Sequence, residues 1–211
     1  MSRIGILAYG SLIEDPGVEL DSLIISRIGG VETPFNIEFA RSSRTRDGAP
    51  TVVPVIGFGT PVKGVILILD EKVEIEVAKD LLWRRETRNE GTDRHYRHSI
   101  RQASNQMAVA EVQDFHDVDH VLYTSIGANI TNPTPSTLAH LAIESAAGSS
   151  GAQGRDGISY LISLKNQNIQ TPLMEEYEAE ILRVLDASSL QQALLRARTR
   201  APDEQAPTTR S

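Results

Sequence analysis

The sequence predicts an α+β fold, because its 211 residues contain both apolar strand candidates and amphipathic helix candidates. An apolar run from Ile4 to Ala8 indicates a buried first strand. A second run, Val62 to Leu69, indicates a strand that is buried on both faces or that lines a closed barrel. From Asp70 the pattern changes to the four-residue recurrence of an amphipathic helix, carried by Val73, Val77 and Leu81.

Length and composition favour one well-packed domain. The chain has a mass of 23.1 kDa and an apolar content of 40%, which is enough for a sizeable core. A net charge of −7 argues against nucleic acid as a partner, because phosphate binding requires a basic surface. The chain has no cysteine, which excludes disulfides and thiolate chemistry.

No pattern typical of a signal peptide or of a membrane-spanning helix occurs in the sequence. We therefore expect a cytoplasmic protein with no membrane partner, and the oligomeric state stays open. We expect residues 1–198 to form the domain and residues 199–211 to be a disordered tail, because the end of the chain has few apolar groups.

The first half of the chain contains further strand and turn signals. Asp15-Pro16-Gly17 is typical of a turn, and Val31 to Ala40 is a second extended candidate. A polar, arginine-rich connection from Arg41 to Gly48 leads into Ala49 to Pro54, where prolines limit strand pairing. We expect Asp70 to cap the helix that follows the Val62 to Leu69 strand, and the helix to end near Glu86.

The second half is expected to be mainly helical after a pair of strands. Arg94 to Arg101 and Met107 to Phe115 alternate weakly and are expected to pair, with Val109 and Val112 as buried positions. A turn precedes a helix from Thr137 to Ala147, whose inner face carries Leu138, Leu141 and Ala142.

A loop from Gly148 to Gly154 is expected to be flexible. Helices are then expected at Ile158 to Lys165 and at Pro172 to Leu185, the latter with an inward face formed by Tyr177, Ile181, Val184 and Leu185.

The turn after the first strand, Tyr9-Gly10-Ser11-Leu12, is the first candidate site. Gly10 allows backbone angles that a Cβ would resist, and a turn at a strand end can direct several N–H groups at one point. Such a point binds an anion or a developing oxyanion. The alternative is that these residues form only a structural turn.

Glu86 is the candidate proton acceptor. On a helix it lies on the same face as Leu82 and Trp83, and burial of a carboxyl group disfavours its charged form. The alternatives are a salt bridge, with Arg85 or with a basic residue of the Arg41 to Arg46 segment, and a frayed helix end that leaves Glu86 in water.

Neither the histidines nor the common catalytic motifs favour a metal site or a hydrolase. His116 and His120 would have metal-ligand spacing on a helix, but surface histidines beside aspartates are ordinary. His95 and His98 lie in an extended segment, where their side chains would point to opposite faces. Ser11 lacks the Gly-x-Ser-x-Gly context of a hydrolase nucleophile, and no phosphate-binding glycine loop occurs.

The Tyr9-Gly10-Ser11-Leu12 turn resembles the signature loop of the γ-glutamylcyclotransferase-like superfamily, with Leu12 nearest the ChaC-type branch. The segment Val62 to Glu86 is similar to the family's strand and following helix, which ends in a catalytic glutamate after an arginine. Two further segments resemble family positions: Ser43 to Pro50 followed by Pro54, and Tyr160-Leu161 with Leu164. The resemblance covers roughly residues 4 to 185, and its departures are Asp47, Trp83 and the region 94–136.

The resemblance implies a small mixed β-barrel flanked by helices. It also implies an enzyme of the lyase or acyltransferase type that acts on a small γ-glutamyl compound, as in glutathione metabolism, and releases 5-oxoproline without a metal or an organic cofactor. Glu86 would be catalytic, and the substrate would be bound by Tyr9, Gly10, Ser11, Leu12, Arg46 and Tyr160, with Arg41 a further candidate for a substrate carboxylate. The alternative is a catalytically silent module of the same fold that binds a small acidic metabolite.

Overall fold

The computed structural model describes residues 2–98 and 106–199 and has the predicted mixed α+β character. The strands are β1 Ile4–Ala8, β2 Ile24–Glu32, β3 Asn36–Ser43, β4 Ala49–Val55, β5 Lys63–Leu69, β6 Ala108–Phe115 and β7 Val118–Ser125. The helices are α1 Ser11–Glu14, α2 Val18–Asp21, α3 Ile75–Thr87, α4 Pro135–Ala147, α5 Ser149–Ala152, α6 Gly157–Asn166, α7 Met174–Val184 and α8 Leu190–Thr199.

Five strands form one open sheet in the order β2-β5-β1-β7-β6. Strand β1 pairs parallel with β7 and antiparallel with β5, so the sheet is mixed. Strands β3 and β4 form a separate two-stranded sheet, and Ile37 of β3 makes an isolated bridge to Thr60 in the β4–β5 connection. The expected closed barrel is therefore not formed by the described strands. Ile37 and Phe39 of β3 are instead buried in a core shared with the helices after β7.

The central strands are buried on both faces, as their apolar runs predict. On one face, Ile6 of β1 and Leu67 of β5 pack against Leu82 of α3. On the other face, Leu7 and Ile66 belong to a second cluster, which includes Val118 and Val121 of β7. A further core forms around Tyr177 among the carboxyl-terminal helices. None of the described helices has the length and apolar character needed to cross a bilayer.

Helix α3 begins later than predicted. Its N-cap is Glu74, whereas the Asp70 carboxylate accepts a hydrogen bond from the Lys72 N–H within a turn. Val77 is 45% exposed and is not an inward position, whereas Ala78, Leu81 and Leu82 form the buried face. The helix ends at Thr87, close to the predicted boundary.

The extended candidate from Val31 to Ala40 is two strands. The chain leaves β2 at Thr33, whose hydroxyl group donates to the Phe35 carbonyl and accepts from the Val62 N–H. Pro34 follows, and it has no N–H to continue a strand ladder. The prediction missed this break because apolar residues occur on both sides of Pro34.

The predicted pairing of Arg94 to Arg101 with Met107 to Phe115 is wrong for the described residues. Strand β6 pairs with β7 through a tight turn in which His116 and Asp117 have positive φ, and Asp114 near the end of β6 also has positive φ. Residues 94–98 are not in a strand, and 99–101 lie outside the described residues. Val109 is buried as predicted, and Val112 is half-buried.

The predictions for the last third are largely confirmed, with shifted boundaries. The predicted flexible loop from Gly148 to Gly154 contains the short helix α5. Helix α7 starts at Met174, two residues after Pro172, and Val184 at its end is 42% exposed, so Val184 is not part of the inward face. Thr199 belongs to α8, and the rest of the expected disordered tail lies outside the described residues.

Candidate active site

A cavity of about 530 Å³ lies at the edge of the sheet where β1 and β7 end. Because these strands are parallel, their carboxyl ends lie side by side. The turn after β1 and the end of β7 form one wall. The tip of the β3–β4 hairpin, the end of α3 and Tyr160 of α6 form the others.

The turn after β1 has the geometry that its glycine predicts. Gly10 has φ 77° and ψ −140°, a conformation that favours glycine. Its carbonyl accepts from the Ile13 N–H at 3.1 Å. Within residues 2–98 and 106–199, no acceptor takes the N–H groups of Gly10, Ser11 or Leu12. Ser11 and Leu12 line the cavity, whereas Gly10 packs against the Tyr160 hydroxyl.

Glu86 lies in the last turn of α3 and lines the same cavity. Its side chain is 18% exposed, and its Oε1 accepts a hydrogen bond from Arg85 Nη1 at 2.5 Å. Glu86 therefore forms the salt bridge with Arg85 that the sequence left as an alternative, and it also faces the cavity. No donor in the described part of the chain contacts Oε2.

Two tyrosines, the buried Tyr160 and the partly buried Tyr9, line the cavity together with Glu86. The Tyr9 hydroxyl donates to the Thr124 carbonyl at 2.8 Å, so its hydrogen bond is satisfied within the protein. Burial, and to a lesser extent the Glu86 carboxylate, raises the pKa of Tyr9 well above its usual range. Burial also raises the pKa of Tyr160 to about 12, against the opposing effect of the Arg46 guanidinium. Both hydroxyl groups therefore stay protonated at neutral pH.

Arg46 lies at the tip of the β3–β4 hairpin, with its guanidinium carbon 5.0 Å from the centre of the Tyr160 ring. Burial lowers the pKa of Arg46. The next residue, Asp47, which departs from the family pattern, has φ 49° and accepts hydrogen bonds from the Ser150 N–H and the Ser149 hydroxyl. The Ser150 N–H lowers the pKa of Asp47. Asp47 therefore anchors the loop that carries Arg46 to helix α5.

The cavity wall is strongly basic, although the whole chain has a net charge of −7. Among the described residues, the wall contains three carboxylates, Asp15, Glu86 and Glu90, and six arginines, Arg41, Arg44, Arg46, Arg85, Arg88 and Arg155. Arg41 donates to the Gly127 carbonyl at 2.6 Å. This excess of positive charge favours an anionic ligand.

The structure thus brings all but one of the sequence-predicted site residues to the cavity wall, and the exception, Gly10, lies directly behind it. Sequence reasoning missed Thr124, Ile126 and Arg155, which also line the cavity. The cluster of apolar and aromatic residues Val121, Leu122 and Tyr123 could have indicated the strand that carries Thr124. Nothing local identifies Arg155, which reaches the cavity because its guanidinium donates to the Thr45 carbonyl.

The histidines lie outside the cavity wall. His116 is in the β6–β7 turn, and His120 on β7 has Nδ1 2.8 Å from Glu111 Oε1, so the two do not share a helix face. His95 contacts the Asp80 carboxylate at 2.6 Å. No group of three or more histidine and carboxylate side chains in the described part of the chain could hold a metal ion.

Comparison with known families identifies the family to which the chain belongs. The family model of the ChaC-like proteins matches residues 4–188. The chain therefore belongs to the ChaC-like protein family, a branch of the γ-glutamylcyclotransferase-like superfamily. A search of curated proteins finds no match.

Proposed function

We propose that this protein is a γ-glutamylcyclotransferase that releases 5-oxoproline from a small γ-glutamyl compound. The observation that carries the proposal is the placement of Glu86 on the same cavity as Ser11 and Leu12, whose N–H groups have no acceptor among the described residues. An acid–base group and oxyanion donors around one small space are the parts that an acyl transfer requires.

The reaction is an attack by the substrate on itself. The α-amine nitrogen of the γ-glutamyl group bonds to the side-chain carbonyl carbon, and the carbonyl oxygen becomes an oxyanion. Collapse of this intermediate breaks the bond to the leaving nitrogen and closes the 5-oxoproline ring. Because both reacting groups belong to one molecule, holding the chain folded supplies much of the rate enhancement.

Glu86 moves the protons. Its carboxylate takes a proton from the attacking amine and returns one to the leaving nitrogen, so the group is regenerated in each turnover. Such a role contributes about 10²- to 10⁴-fold in rate. Oε2 has no donor among the described residues and is the oxygen suited to this exchange.

The amides of the turn after β1 stabilise the oxyanion. The N–H groups of Gly10, Ser11 and Leu12 belong to one short turn, and each well-placed donor contributes about 10²-fold or more. The protonated Tyr160 hydroxyl, next to Gly10, adds a donor at the same end of the cavity.

The arginines bind the substrate carboxylate. Arg46 is held over the Tyr160 ring with its guanidinium at the cavity, and a guanidinium can bind a carboxylate through two parallel hydrogen bonds. Arg41 lies on the same wall. The basic wall therefore favours γ-glutamyl donors over neutral amides.

The test is incubation of the purified protein with glutathione and with several γ-glutamyl amino acids, followed by quantification of 5-oxoproline. We expect time-dependent release from at least one donor. If no donor is turned over while a donor or 5-oxoproline still binds, the protein is the catalytically silent module instead.

A further inference from the structure

Arg85 joins the two halves of the candidate site. Its Nε and Nη2 donate to the carbonyl oxygen of Asp15, just after the turn that carries the amides, with an Nε distance of 3.0 Å. Its Nη1 donates to Glu86 Oε1 at 2.5 Å. One guanidinium therefore connects the amide turn to the acid–base carboxylate.

The donors of Arg85 are committed to the protein. All three of its side-chain nitrogens have acceptors in the chain, and the side chain is only 11% exposed. Arg46 is placed differently, because its guanidinium lies at the cavity over the ring of Tyr160. The planar fork of an arginine can hold two acceptors in a fixed relative position, which a lysine ammonium cannot do.

The neighbouring contacts hold the same region without touching Glu86. Arg84 pairs with Glu19 of α2, with Nε 2.9 Å from Oε2. Gly17, at φ 84°, lies so close to α3 that a Cβ there would be 2.8 Å from Arg85 Cγ. The segment from Gly10 to Asp21 is thus fastened to the end of α3, but of these contacts only that of Arg85 reaches the carboxylate.

We propose that Arg85 is a positioning residue that fixes the distance between the amide turn and Glu86. The inference rests on the proposed function, because it assigns those two parts to one reaction. Removing Arg85 should misplace the carboxylate relative to the oxyanion donors, and should reduce turnover more than substrate binding.

The experiment compares three variants of the full chain: Arg85→Met, Arg85→Lys and Arg84→Met. Arg84 is the matched control, because its side chain is also 11% exposed and its ion pair fastens the same segment. Two readouts are taken. Steady-state kinetics of 5-oxoproline release give kcat and KM, and hydrogen–deuterium exchange over residues 11–17 reports the order of the turn without requiring turnover.

For Arg85→Met we expect kcat to fall about 100-fold with KM changed less than about threefold, as a misplacement of about 1 Å would cause. The amides of Ile13 and Asp15, which bond to Gly10 and Ser11 carbonyls, should exchange about tenfold faster. Arg84→Met should keep kcat within about threefold of the unmodified chain. Arg85→Lys should give intermediate values.

Three results would overturn the inference. The first is an unchanged exchange rate over residues 11–17 in Arg85→Met. The second is a loss of kcat in Arg84→Met as large as that in Arg85→Met. The third is a kcat of Arg85→Lys equal to that of the unmodified chain, which would show that charge alone matters. If the unmodified chain releases no 5-oxoproline, the proposed function fails, and the exchange measurement still decides whether Arg85 orders the turn.

Discussion

Gly10 and Tyr160 pack so closely that a Cβ at Gly10 would lie 3.0 Å from the Tyr160 hydroxyl oxygen. Gly10 belongs to the turn after β1 and Tyr160 to α6, so this contact joins the amide donors to the helical half of the molecule. It requires glycine for two reasons, the positive φ of 77° and the absence of room for a side chain.

Gly10→Ala should therefore lower both stability and activity. We expect the free energy of unfolding to fall by about 1–3 kcal/mol, because alanine is strained at this φ and ψ. The added methyl group should also displace the Tyr160 hydroxyl and reduce kcat by about tenfold or more. Denaturant unfolding and 5-oxoproline release measure the two effects.

Gly91→Ala is the control for the Gly10 prediction. Gly91 has φ 72° and no atom within 4 Å of a built Cβ, so alanine there adds backbone strain without a contact. It should lose stability and keep its kcat. An equal loss of kcat in both variants would contradict a specific role for the Gly10–Tyr160 contact.

The burial of Tyr160 predicts a loss of stability in alkali. The pKa of Tyr160 is raised to about 12 in the folded chain, against about 10 in an unfolded one. The native state thus keeps a proton that the unfolded state has lost, so this stabilising contribution is complete below pH ~10 and is lost between pH ~10 and ~12.

Tyr160→Phe should make the free energy of unfolding less dependent on pH in that window. The slope should decrease by at most about 1.4 kcal/mol per pH unit, the value for one proton. Chemical unfolding at several pH values measures it. An unchanged slope would contradict burial of the Tyr160 hydroxyl in its neutral form.

Arg46→Lys should weaken substrate binding. Lysine keeps the positive charge but loses the paired donors that bind a carboxylate, so KM should rise about tenfold with a smaller change in kcat. Arg183→Lys is the control, because Arg183 pairs with Glu180 on α7 and does not line the cavity. An unchanged KM in Arg46→Lys would remove Arg46 from the substrate site.

The local part of the fold could be predicted from the sequence. The apolar run Ile4 to Ala8 gave β1, and the helix that ends near Glu86 was expected from its periodicity. The closed barrel was wrong, because nothing local reveals that the hairpin β3–β4 packs on helices and leaves the sheet open. The β6–β7 pairing was missed because its turn is formed by two non-glycine residues with positive φ, His116 and Asp117.

The candidate site could be predicted only where short motifs mark it. Tyr9 to Leu12, Arg46, Glu86 and Tyr160 stand in recognisable contexts. Thr124 and Arg155 reach the cavity through a parallel strand pair and a side-chain contact to the Thr45 carbonyl. The positions of Thr124 and Arg155 in the site depend on contacts between distant parts of the chain, and no local sequence pattern marks such contacts.

Glu86→Gln provides the most direct test of the account. Glutamine keeps the shape of the side chain but cannot take a proton, so kcat for 5-oxoproline release should fall about 10²- to 10⁴-fold while KM and the unfolding midpoint change little. Glu90→Gln, at another carboxylate of the cavity wall, should keep kcat within about threefold. Undiminished release by Glu86→Gln would contradict the assignment of Glu86 as the acid–base group.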